Sequence, residues 1–138
     1  MGFKKQMKIV IAYPPNIEEI DKVFNVKNTK GIVYTYGDIL FNPDDAYVDI
    51  ALMVHEETHT SQQGNDPKGW WDRYIADVDF RLSQEIEAYS NQYEKFCEIV
   101  KDKNTRFKFL RKIAGDLSSP MYGNIINVNE AMKAIKNK

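Results

Sequence analysis

The sequence is short of the residues that most often carry chemistry. It has one cysteine, Cys97, and two histidines, His55 and His59, among 138 residues. A lone thiol excludes an internal disulfide framework. An excess of either charge is missing too: Lys+Arg 19 stands against Asp+Glu 20, a net charge of -1. Nothing in that balance points to nucleic acid or an anionic membrane as partner. No run approaches the ~18 apolar residues of a membrane span. The start, Met1 to Lys8 followed by Ile9-Val10-Ile11-Ala12, mimics a signal peptide, but the apolar run is too short and Tyr13-Pro14-Pro15 ends it. Gln6 stands where a myristoylation signal after Gly2 needs Ser or Thr. These absences predict a soluble cytoplasmic chain, with a monomer as the default. The remaining composition, 43% apolar and 28% charged, is that of one globular domain spanning residues 1–138.

The chain begins with an apolar run, Lys8 to Tyr13, that reads as a buried strand. Asn16 precedes a short helix from Ile17 to about Phe24. Ile32 to Tyr36 is rich in β-branched and aromatic residues and reads as a strand, with Gly37-Asp38 turning it into Ile39-Leu40-Phe41. Asn42-Pro43-Asp44-Asp45 reads as a helix start, and Gly64 stops that helix after Gln63. Asn65-Asp66-Pro67 restarts the chain as a helix holding Trp70, Trp71 and Tyr74. From about Phe80 to Val100, Leu82, Ile86, Tyr89, Tyr93 and Phe96 form one helical stripe. Asn104 or Thr105 starts another helix, and Asn127 or Asn129 caps the last. The expectation is an α+β domain, with a short N-terminal β-sheet followed by a central helix and a helical bundle.

Both histidines lie in His55-Glu56-Glu57-Thr58-His59. Four residues is close to one helical turn, so the two imidazoles share a face and can grip one metal ion. Imidazole suits zinc, which lowers the pKa of a bound water to about 7. Glu56 flanks such an ion and can accept the water's proton as it attacks a carbonyl. Two histidines that merely pack on a helix face are the alternative.

A catalytic zinc needs a third protein ligand. No third histidine exists, Asn65 stands six residues after His59, and Cys97 beside Phe96 reads as a buried core cysteine. A carboxylate must therefore supply the bond. The downstream candidates are Asp66, Asp72, Asp77, Asp79, Glu85, Glu87, Glu94 and Glu98.

The chain resembles the gluzincins, zincin metallopeptidases whose third ligand is a glutamate on a later helix. Glu85-Ile86-Glu87-Ala88-Tyr89 is similar to the Glu-x-Glu-Ala-Asp element of membrane zinc proteases that process prenylated proteins. That resemblance implies Glu85 as the ligand, ahead of Glu87, Asp77 or Asp79, with Ala88 allowing close helix approach. Tyr89 replaces an aspartate that in the family supports a zinc-binding histidine. Asn42-Pro43, Gln62-Gln63, Trp70-Trp71-x-Arg73-Tyr74, Phe80-Arg81-Leu82 and Leu117 to Gly123 resemble a group of small predicted metallopeptidases, many of them phage-encoded. The similarity spans about Tyr34 to Ile135. It implies a minimal zincin-like domain, a bound Zn2+, a peptide or protein substrate and Glu56 as general base.

Two further expectations concern the substrate. The Ile32 to Tyr36 strand can hold an extended peptide by main-chain hydrogen bonds, if it lies above the active helix as in zincins. Tyr122, in a Gly/Ser/Pro loop, is the candidate donor to the oxyanion, with a core tyrosine as the alternative. Trp70 and Trp71 read as core or wall. The functional alternatives are a zinc hydrolase acting on a non-peptide amide or ester, and a catalytically silent zinc-bound interaction or inhibitor protein.

Overall fold

The computed structural model describes residues 7–137; most of the basic start, Gly2 and Gln6 included, lies outside them. Strand β1 (Lys8–Val10) is followed by helix α1 (Ile17–Phe24), β2 (Tyr34–Tyr36) and β3 (Ile39–Phe41). Helices α2 (Ile50–Gln63), α3 (Pro67–Ala76), α4 (Val78–Ile99), α5 (Lys103–Leu117) and α6 (Val128–Asn137) complete the chain, with 3-10 turns at Val26–Asn28 and Pro120–Tyr122. The architecture is α+β, a short N-terminal sheet followed by a helical bundle. No helix among the described residues is long and apolar enough to cross a membrane.

The sheet order is β1-β3-β2. β2 and β3 form a hairpin across Gly37-Asp38, with Thr35 opposite Leu40. Gly37 has φ +64, a conformation in which a side chain would be strained. β1 pairs in parallel with β3. It is shorter than the expected Lys8–Tyr13 strand and is not buried: Ile9 is 49% exposed and Ile11 64%. An edge strand that turns away at a buried Pro14 has a partner on one side only.

Helix ends follow local chemistry, but several expected starts move: α5 begins at Lys103 behind Asp102, ahead of Asn104 and Thr105. Asp66 caps α3 ahead of Pro67, Asp77 caps α4 and Asp102 caps α5, each accepting from a backbone N–H of the first turn. At α6, Asn127 Oδ1 accepts from Glu130 N at 2.9 Å. The long central helix, however, starts at Ile50 with Asp49 as its cap, not at Asn42. Asn42 is buried and grips Ala46 twice, through Nδ2 to the Ala46 carbonyl and through Oδ1 from the Ala46 N–H, both at 2.9 Å. Its side chain thus closes a loop instead of starting a helix. Asn16 likewise precedes α1 without making a capping bond.

Two hydrophobic clusters flank the central helix. One joins Tyr89 of α4 to Leu110, Ile113, Ala114 and Leu117 of α5, to Tyr122, and to Ala131 and Ile135 of α6. The other joins Ile20, Val26, Tyr34, Trp70, Trp71 and Tyr74 beneath the sheet. Ala88 is fully buried on α4, which packs more extensively on α2 than any other pair of elements does. Cys97 is half-buried near the end of α4 and belongs to neither cluster.

Arg81 ties the two clusters together. The residue is 5% exposed. It donates to the carbonyls of Tyr74 at 2.9 Å, Ile75 at 3.1 Å and Tyr122 at 2.9 Å, and lies 4.8 Å from the Phe24 ring centroid. Arg81→Met fills similar space but strips three acceptors of their donor. The expected cost is about 3 kcal/mol in urea unfolding, since an unsatisfied buried polar group costs ~1–3 kcal/mol. A loss of only a few tenths would show that water replaces the guanidinium.

Candidate metal centre

α2 supplies three of the residues at the site because its register turns His55, Glu56 and His59 to the interior, and all three are buried. α4 supplies Glu85, 3% exposed. His55 Nε2 lies 3.1 Å and His59 Nε2 3.3 Å from the same oxygen, Glu85 Oε1. Three donor atoms at ~2.0–2.1 Å around a tetrahedral ion stand about 3.3–3.4 Å apart, so these two separations leave room for a shared ion as well as for direct ion pairs. Among the described residues, these are the only three His, Cys, Asp or Glu side chains grouped closely enough to hold an ion.

The surrounding hydrogen bonds leave the inward-facing atoms unpaired. His55 Nδ1 meets Gln92 Oε1 at 3.0 Å, and His59 Nδ1 meets Gln62 Oε1 at 2.8 Å. Each outer nitrogen faces an amide oxygen and can donate to it, which turns each Nε2 toward Glu85 Oε1. Tyr74 O–H donates to Glu85 Oε2 at 2.6 Å, whereas Glu85 Oε1 is buried with no hydrogen bond. Two imidazole Nε2 atoms and a carboxylate oxygen converge, an arrangement that a bound cation satisfies. The donor set therefore fits a divalent metal ion.

Without metal, the site must attract protons instead. Burial pulls the His59 imidazole down, but the Glu85 carboxylate outweighs it and raises the group from 6.5 to about 9. Burial pushes the Glu85 carboxyl up, and the two imidazoles outweigh that and hold it well below the carboxylate range. Tyr74, Tyr89 and Tyr122 are all raised well above 10, by burial first and by the Glu85 charge second, so each keeps its proton at neutral pH.

Glu56 is held as a group beside the ligands rather than among them. Thr35 Oγ1 donates to Glu56 Oε1 at 2.9 Å, and Glu56 Oε2 lies 3.9 Å from His55 Nε2. Tyr122 is buried, and its hydroxyl shares a 2.8 Å hydrogen bond with Tyr89. The Tyr89 ring meets His55 edge-on at 4.4 Å, so it supports that histidine by packing while Gln92 makes the hydrogen bond. Trp70 and Trp71 are wall residues: Trp70 packs 5.2 Å from the His59 ring, and Trp71 Nε1 donates to the Thr35 carbonyl at 2.9 Å. Gln63 Nε2 donates to that same carbonyl at 2.8 Å. β2 is an edge strand beside α2, but at Thr35 its carbonyl is already occupied.

A cavity of about 360 Å³ reaches His55, Glu56, His59, Glu85 and Tyr122, with Ile32, Val33 and Leu52 also in its wall. The other carboxylates considered from sequence stand elsewhere. Asp77 caps α4, Asp79 is exposed, and Glu87 accepts from Gln62 Nε2 at 2.8 Å. Sequence reading missed Thr35, Gln62, Tyr74 and Gln92 as site residues. Two carried a spacing signal: Gln62 follows His59 by three residues and Gln92 follows Glu85 by seven, each on the ligand's own helix face.

The fold and site together define a small α+β protein with a buried two-histidine, one-glutamate cluster on two packed helices. No family model, curated protein or solved structure matches the chain.

Proposed function

We propose that this chain is a zinc-dependent endopeptidase of the gluzincin type, with His55, His59 and Glu85 as zinc ligands and Glu56 as general base. One observation carries the reading: a carboxylate lies beside the ligand cluster with one oxygen held by Thr35 and the other turned toward it, at the wall of a cavity. A purely structural metal has no use for such a base.

Zinc bound there supplies Lewis-acid polarisation and makes water a competent nucleophile near neutral pH. Glu56 Oε2 takes a proton from the attacking water. The water oxygen bonds to the peptide carbonyl carbon, the C–N bond breaks, and Glu56 returns the proton to the leaving amine. Thr35 keeps the carboxylate from rotating away. Two hydroxyls sharing one hydrogen bond leave one proton spare, so the Tyr89–Tyr122 pair can donate to the developing oxyanion. Ile32 and Val33, just ahead of β2, line the same cavity and are where an extended peptide would run, since the Thr35 carbonyl is occupied.

The test is metal analysis with a peptide-library cleavage assay. The purified chain should carry about one zinc. Cleavage should stop with a chelator, return with zinc, and fall ~100-fold in Tyr122→Phe without loss of metal. A chain that takes up no metal, or that cleaves equally well without it, rules the reading out.

A further inference from the structure

We infer that Glu87 is a positioning residue, which sets the ring and tautomer of His59 through Gln62; this rests on the metal-binding reading above. Gln62 is the pivot. Its amide nitrogen donates to the Gln84 carbonyl at 2.9 Å and to Glu87 Oε1 at 2.8 Å. Both partners are pure acceptors, so both N–H bonds of the amide are committed. Rotating the amide by half a turn would face its oxygen toward two other oxygens and its NH2 toward an imidazole N–H. The amide oxygen is therefore locked against His59 Nδ1 at 2.8 Å. His59 then donates from Nδ1 to Gln62, which leaves Nε2, facing Glu85 Oε1 at 3.3 Å, as the nitrogen for a metal ion.

The arrangement couples two helices at the site. Gln84 and Glu87 flank Glu85 on α4, so the helix that brings the third ligand also clamps the support of a histidine on α2. The hydrogen bond from the Gln62 amide to Glu87 polarises that amide, which makes the Gln62 oxygen a better acceptor and His59 a better donor to metal. Glu87 does this from the far side. It lines a separate hollow of about 540 Å³ between α2 and α4, with Glu57, Gln62, Asn91 and Glu94, away from the cavity that reaches Glu56. Changing it leaves the substrate face untouched.

The test is zinc affinity by chelator competition on the whole chain, combined with two-bond 1H–15N spectra of the histidine rings in the zinc-loaded protein. Glu87→Ala should bind zinc about 10-fold more weakly, within the ~10–100-fold range for lost ligand support, and should expose the His59 Nδ1 proton to faster exchange while that of His55 is unchanged. Gln62→Leu should do the same. Glu87→Gln should recover affinity to within about 3-fold, because its amide oxygen can still accept. Wild-type affinity and an unchanged His59 signal in Glu87→Ala would overturn the inference. An equal loss in Glu87→Gln would overturn it too, by assigning the effect to charge. Absence of zinc binding in the unsubstituted chain would instead remove the metal reading on which it rests.

Discussion

Glu56→Gln should keep one zinc per chain and lose peptide hydrolysis by roughly 1,000-fold, within the ~10²–10⁴ range for a general base. The substitution is nearly isosteric. An amide oxygen can still accept from Thr35 Oγ1, which donates to Glu56 Oε1 at 2.9 Å in the native site. Glu56 is 3.9 Å from the nearest ligand nitrogen and contributes no ligand atom to the cluster, so metal content should not change. What disappears is the ability to take a proton from water and pass it to the leaving amine. The check is kcat/KM on a cleaved peptide together with metal content on the same sample. Undiminished hydrolysis by a zinc-loaded Glu56→Gln protein would remove Glu56 from the mechanism.

Glu85→Ala should weaken zinc binding on the order of 1,000-fold, the scale of losing one ligand of three where a whole zinc site is worth ~10–16 kcal/mol. The fold should feel it as well. Tyr74 O–H donates to Glu85 Oε2 at 2.6 Å and would be left buried without an acceptor, a cost of about 1–3 kcal/mol. The pH dependence should change in step. In metal-free protein the Glu85 charge raises His59 to about 9, so at neutral pH an incoming metal ion displaces a proton. Native zinc affinity should therefore climb about tenfold per pH unit until pH ~9 and then level off. The sign for stability is the opposite: the protonated His59–Glu85 pair stabilises metal-free protein below pH 6.5 and loses that contribution as pH rises through about 9. Calorimetric titration across pH and urea midpoints of metal-free protein check both. A Glu85→Ala chain with native zinc affinity would place the third ligand elsewhere.

The difference between Glu85 and Glu87 shows where sequence reading stops. Residues two positions apart on a helix are about 200° apart around its axis, so they face nearly opposite sides. Local sequence alone cannot say which side meets α2, and only resemblance favoured Glu85. Packing decides it: α4 packs against α2 so that Glu85 is turned inward to both histidines, while Glu87 is left at the hollow behind. Asn42 teaches a related lesson. The run Asn42-Pro43-Asp44 carries every local signal of a helix start, yet Asn42 is spent on Ala46, and Asp44 Oδ2 accepts from Gly31 N at 2.8 Å. A contact with a residue 13 positions away overrode the local signal.

By itself the sequence determined the α+β order of elements, the Asp66-Pro67 start of α3, the Asn127 cap of α6 and the placing of His55, Glu56 and His59 within one turn, because each depends on neighbours along the chain. The scarcity of histidine and thiol also determined that a third ligand to any ion held by His55 and His59 would be a carboxylate. The tertiary structure alone decided which carboxylate comes within 3.3 Å of both imidazoles and what surrounds it. Thr35 lies 21 residues from Glu56, Gln92 lies 37 from His55, and Tyr74 lies 11 from Glu85. Hydrogen bonds across such separations exist only once the helices have packed, since no local periodicity encodes them.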